Sequence, residues 1–115
     1  MSRQANGIFP LTTIATTALT EKRFVTFTGA VPAADANVMG VVRQNAVIGD
    51  AVTVDTLGTA IVEAGAAITA GATVKTDATG RAITWATAGA KVAIAMQSAS
   101  AAGDFIEVYL LQNAT

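Results

Sequence analysis

Two stretches of this sequence, 22 residues apart, spell one pattern: alternating side chains, Asp-x-x-Gly, and alternating side chains again. The first runs Ala51-Val52-Thr53-Val54-Asp55, then Thr56-Leu57-Gly58, then Thr59-Ala60-Ile61-Val62-Glu63. In the second, Gly71, Val74, Asp77, Gly80, Ala82 and Ile83 align with Gly49, Val52, Asp55, Gly58, Ala60 and Ile61. A period of two sends successive side chains to opposite faces of a strand and cannot be laid on a helix. Each stretch therefore predicts a β-hairpin with glycine where the turn needs φ > 0. A fragment returns in Gly103-Asp104-Phe105-Ile106-Glu107-Val108. Convergence on turn chemistry accounts for the recurrence without a duplication.

Phe24-Val25-Thr26-Phe27-Thr28 alternates too and stops at Gly29-Ala30-Val31-Pro32. Further strands are expected at residues 38–43, 91–96 and 105–111. Helix is disfavoured in both places that allow it. Threonines crowd residues 14–21, and Ser98 to Asp104 carries two serines and a Gly-Asp end. Strands at this spacing predict an all-β, single-domain fold, a small β-barrel or β-tulip-like fold built from hairpins. Residues 1–20 differ in character and are set apart as an N-terminal arm or irregular segment, leaving residues 21–115 as the β domain. Within the arm, Ile8-Phe9-Pro10-Leu11 places bulky apolar residues beside a proline. Such a segment can be a tail, or an extended arm on a neighbour's sheet or in a partner's groove.

Apolar residues are 52% of the chain but aromatics only 5%, so its core must be built largely from Ala and Val. Small side chains bury little area, and 115 residues make a modest core, which predicts burial against another subunit or a larger partner. Charged residues are 13%, about half the usual ~25%, and seven basic against eight acidic residues nearly cancel. Nucleic acid is an unsuitable partner, since its binding needs a clustered basic surface. No apolar run reaches the ~20 residues of a membrane-spanning helix. Met1 to Gly7 has no apolar signal-peptide core, so synthesis in a cytoplasm without secretion is expected.

Histidine and cysteine are both absent, which removes the commonest general base, nucleophile and zinc ligands. Asp50, Asp55, Asp77 and Asp104 lie beside glycine or in turns, where a solvated, turn-forming role is expected. Each Asp-x-x-Gly supplies one carboxylate, too few for calcium, and the glycines do not precede a helix as a phosphate loop requires. No enzyme, cofactor, metal or small-molecule site is expected. Trp85, the sole tryptophan, is a core plug or an interface anchor.

The run from Gly58 to Gly71, its continuation Val74-Lys75-Thr76-Asp77-Ala78-Thr79-Gly80-Arg81-Ala82, and Ala99 to Val108 together resemble the small capsid decoration, or cement, proteins of tailed bacteriophages. The similarity spans roughly residues 38–111. It implies a β-rich module on the outer face of a virion head, made in the host cytoplasm. The implied partner is the major capsid protein, with the module a homotrimer that bridges neighbouring capsomers. The arm's place falls on Arg3, Gln4, Ile8, Phe9 and Leu11, which with Trp85 are the candidate capsid or subunit contacts. No motif transfers the arm position by position. A tail or fibre module and a small ligand-binding barrel are the alternatives. The first lacks the longer repeats usual in fibres, and the second lacks an identifiable cluster of polar pocket residues.

Overall fold

Alternation does produce strands, and the computed structural model, which describes residues 10–114, contains no helix among them. The strands are β1 (Pro10–Ile14), β2 (Phe24–Val25), β3 (Gly40–Val42), β4 (Ala51–Asp55) and β5 (Thr59–Glu63). They continue with β6 (Thr73–Thr76), β7 (Ala82–Thr84), β8 (Lys91–Ala95) and β9 (Phe105–Ala114). Two antiparallel sheets result, one ordered β1-β4-β3-β2 and the other β5-β9-β8-β6-β7. The fold is all-β, as the alternation predicts. The two sheets pack on each other and are open-edged, so the molecule is a sandwich- or tulip-like fold and not a closed barrel.

One of the two expected hairpins does not exist. β4 lies between β1 and β3 in the first sheet, whereas β5 pairs with β9 in the second, Thr59 opposite Tyr109 and Glu63 opposite Phe105. The Thr56-Leu57-Gly58 turn is thus a corner between sheets, with Gly58 at φ 89° and its carbonyl accepting from the Leu110 N–H at 2.9 Å. Local turn chemistry says where a chain bends but not which strand it meets next. The second expected hairpin is real: β6 pairs with β7 from Thr76↔Ala82 to Val74↔Thr84.

The segment set apart by composition also joins the sheet. Pro10 to Ile14 pair along β4, and Leu19 is buried and bridged to Ala46. Threonine-rich Leu11-Thr12-Thr13-Ile14 suits a strand as well as it disfavours a helix. Pro10 to Ile14 therefore form the edge strand of the first sheet.

The recurrence seen in the sequence reaches further than turn chemistry. Ala15, Val42, Ala64 and Ala95 each stand at a strand end. Four residues on come Leu19, Ala46, Ile68 and Ala99, followed by a residue with positive φ: Lys22, Gly49, Gly71 or Gly103. The four loops pair within each sheet. Leu19 and Ala46 exchange both backbone hydrogen bonds at 2.9 and 3.0 Å, as Ile68 and Ala99 do at 2.9 Å. Ala15 is bonded to Gly49 and Asp50, Val42 to Lys22 and Arg23, Ala64 to Gly103 and Asp104, and Ala95 to Gly71 and Ala72. Each sheet is therefore roofed by two loops of one design.

The roofs enclose two cores. Leu19 and Ala46 close the smaller one over Val25, Val42, Val52 and Val54. Ile68 and Ala99 close the larger one over Val62, Val74, Ile106 and Val108, which Phe24 and Val41 of the first sheet also enter. Seven of the larger core's residues are alanines (Ala60, Ala64, Ala82, Ala90, Ala93, Ala95 and Ala99). Phe24 is the one buried aromatic among the described residues, and its burial contributes about 2–3 kcal/mol. Polar ties reinforce the joint between the sheets: Phe24 N–H to Gly80 O, Glu63 N–H to Lys22 O, each 2.7 Å, and Arg23 to Glu63.

The four aspartates divide. Asp50, Asp77 and Asp104 bond to turn N–H groups, as expected of turn residues. Asp55 differs: it is buried and held by Arg43 at 2.6 and 2.8 Å. That contact raises the Arg43 pKa, first through the hydrogen bond and then through the carboxylate's charge.

Candidate docking surface

Residues 47–50 form a four-residue turn: the Asp50 N–H donates to Val47 O at 3.1 Å, and Gly49 at the third position has φ 94°. This is the type II arrangement, which needs glycine third and pushes the second residue outward at the corner. That corner is Ile48, 72% exposed. Two structural counterparts have the same bond and the same positive φ: residues 69–72 around Gly71 and residues 101–104 around Gly103. Their corners are Ala70 and Ala102. The turn itself accordingly does not require a large side chain, and isoleucine at one of three equivalent corners has no structural use.

A second corner lies close by. The Gly29 N–H donates to Thr26 O at 3.1 Å, leaving Phe27 outward and 59% exposed. Both turns are bonded to the chain leaving β1. Thr16 N–H donates to Gly29 O and Thr16 Oγ1 to Thr28 O, while Ala15 bonds Asp50 and Gly49. Ile14, 53% exposed, is thereby held between them, and Val31 and Val47 extend the patch. Val31 is fixed by its N–H bond to Thr17 Oγ1 at 3.2 Å, and the Asp50 carboxylate fixes the Val47 N–H at 3.1 Å. Five large, exposed apolar side chains are thus carried by two turns and by the chain leaving β1, to which each turn is hydrogen-bonded. Isolated exposed apolar residues are ordinary; a contiguous group on hydrogen-bonded turns marks an interaction surface.

Of the residues expected to make contacts, Arg3, Gln4, Ile8 and Phe9 lie outside the described residues. Leu11 sits on edge strand β1 opposite Val54, partly exposed and on the other face of the strand from Ile14. Trp85 follows β7 and is half-buried, not a core plug. Its indole N–H donates to Gly89 O at 2.9 Å, and the Lys91 Nζ stands 4.5 Å from the ring. It lines a shallow, open cleft of about 450 Å³ with Asp35 and Asn37. The structure does not bring Trp85 to Leu11. Sequence reasoning missed Ile14, Phe27, Val31, Val47 and Ile48. The available signal was Val47-Ile48 immediately before Gly49-Asp50, two bulky β-branched residues inside a turn.

Among the described residues no group of three or more acidic side chains could hold a metal ion. The surface is suited to binding through apolar contact, on a frame whose turns are pinned by backbone bonds.

Comparison with curated proteins found no match. Among solved structures the chain resembles the N base of the head fibre protein gp8.5 of bacteriophage phi29. The TM-score is 0.75 at 17% identity, over 93% of this chain and 97% of that one, a likeness of fold. Residues 3–110 match the family described as phage cement protein. The chain therefore belongs to the phage cement protein family and is a structural protein of the virion's capsid surface.

Proposed function

We propose that this protein docks on the outer face of an assembled phage head and cements it by bridging neighbouring major capsid proteins. It acts as a homotrimer and catalyses no reaction. The observation that carries the reading is Ile48, a large apolar residue at a turn corner that the fold fills elsewhere with alanine, grouped with Phe27 and Ile14. Family membership supplies the setting. Many identical contacts on a lattice convert modest individual affinities into high avidity, so a small patch suffices. Near-neutral charge permits dense packing of copies. Arg3, Gln4, Ile8, Phe9 and Leu11 are proposed as an arm that extends the contact, because they lead into β1, whose far end is Ile14.

The test is titration of purified undecorated heads with the full chain and with a form lacking residues 1–9, which leaves β1 intact. Saturable binding by the full chain, weakened in the shortened form, is expected. Failure of the full chain to bind the heads of its own phage would end the reading, and unchanged occupancy of the shortened form would end the arm's part in it.

A further inference from the structure

β9 alternates between two apolar sets. Ile106, Val108 and Leu110 point into the larger core, while Phe105 and Tyr109 point out, 40% and 52% exposed. A sheet with one face in water carries polar residues at its outward positions. Here Tyr109 is flanked across the strands by Ile94 of β8 and Thr59 of β5, and Glu107 by Ile61. Met96, also exposed, joins this face through its N–H bond to Glu107 O at 2.9 Å. The face is apolar along β8 and β9 and turns polar at its margins, where Thr73 stands opposite Ile94 and Glu63 opposite Phe105, the pattern of a sheet whose middle strip is covered.

We infer that the outer face of the five-stranded sheet is covered by a second copy of this chain. It deepens the trimer reading by naming a surface between copies, one separate from the Ile48 patch on the other sheet. Three observations favour another copy over any other occupant. First, the central charge is Glu107, and its side chain is already 5% exposed in a single copy. Covering the face therefore strips little further water from a charge, the condition for an interface that resembles a core cut in half. Second, the chain's own core is made of alanine and valine, while Phe105 and Tyr109 stay outside it. The burial missing within one copy becomes available between copies, as in the more apolar interfaces of homodimers. Third, the rim carries both signs, Lys22 lying 5.9 Å above the Phe105 ring and 3.6 Å from Glu21. With a net charge of −1, copies approach one another without strong repulsion.

Mass measurement by light scattering during gel filtration, on the full chain without heads, tests this. The expected mass is a multiple of 11.5 kDa for the unaltered chain and for Ile48→Lys. The double variant Phe105→Lys with Tyr109→Lys should elute as a single 11.5 kDa copy with unchanged circular dichroism. A single copy for the unaltered chain at every concentration, or a folded double variant that keeps the assembled mass, would overturn the inference. Tyr109→Cys gives a check that does not depend on a charge in the sheet, because the chain has no cysteine of its own. A polarity-sensitive dye on that thiol should shift to the blue as protein concentration rises. Emission that does not change with concentration would also overturn it. Heads are absent throughout, so failure here leaves the capsid reading standing, and the reverse holds.

Discussion

Arg23 and Glu63, 40 residues apart in sequence, join the two sheets: the Arg23 Nε–H donates to Glu63 Oε1 at 3.0 Å. Glu63 also faces the Arg81 guanidinium at 3.9 Å, so its loss leaves two cations near each other. Glu63→Ala is expected to cost about 1–2 kcal/mol in chemical denaturation, more than Arg23→Ala. A double-mutant cycle on the pair should return a coupling of about 0.5–1 kcal/mol. Zero coupling would show that this side-chain pair does not help join the sheets, leaving the backbone bonds and apolar packing to do so.

Asp77 caps the β6–β7 hairpin by accepting from Thr79 N–H, Thr79 Oγ1–H and Arg81 N–H, each at 2.9 Å. Burial pushes its pKa up, but the Arg81 and Thr79 N–H bonds, the Thr79 hydroxyl and the Arg81 charge together hold it below the usual carboxylate value. A folded pKa below the unfolded one, about 3.9, adds stability in full above that pH and loses it as pH falls through the folded value. Asp77→Asn should therefore be about 1 kcal/mol less stable than the unaltered chain at neutral pH. That difference should shrink below about pH 4. A difference constant down to acid pH would rule out the ionised cap.

Gly40 and Gly71 are glycines for different reasons. A Cβ at Gly40 would strike the Asp55 carbonyl oxygen in the adjacent strand, whereas one at Gly71 would meet nothing and only strain a φ of 90°. Gly40→Ala is expected to cost more than ~3 kcal/mol or to prevent folding, since backbone in a sheet cannot step aside. Gly71→Ala should cost about 1 kcal/mol. Thermal melts that rank the two equally would contradict the close approach of β3 and β4.

How far the fold could be read in advance depended on the range of the interaction. Alternation and Asp-x-x-Gly located the bends, and at Asp77–Gly80 the bend is the expected hairpin, with β7 paired along β6 and bridged to Ala64 by Ala82. At Asp55–Gly58 the same chemistry makes a corner, since β5 finds its partner in β9, more than 40 residues on, and no local pattern encodes that choice. The threonines around residues 14–21 argued against helix without announcing the edge strand at Pro10–Ile14. Ile48 is visible as a contact residue only beside Ala70 and Ala102, a comparison that requires the loop bonds. Of the contact residues expected from the sequence that are described, Leu11 lies on β1 but on the face with Val54, opposite to Ile14, and Trp85 is pinned to Gly89.

Ile48→Lys should leave stability within about 0.5 kcal/mol, because the side chain touches little in one copy. It should weaken head binding at least tenfold, an apolar contact being replaced by a charge that must be desolvated. Ala70→Lys, the same change at the counterpart corner, should bind heads as the unaltered chain does. Equal losses for both would mean that added charge, and not the patch, matters.

Electron cryomicroscopy of undecorated heads incubated with the full chain addresses capsid docking most directly. The difference map should show density on the outer surface, with the turns bearing Ile48 and Phe27 facing the major capsid protein and the five-stranded sheet's outer face turned toward a neighbouring copy. Heads without added density, or density with the Ile48 end directed to solvent, would contradict it.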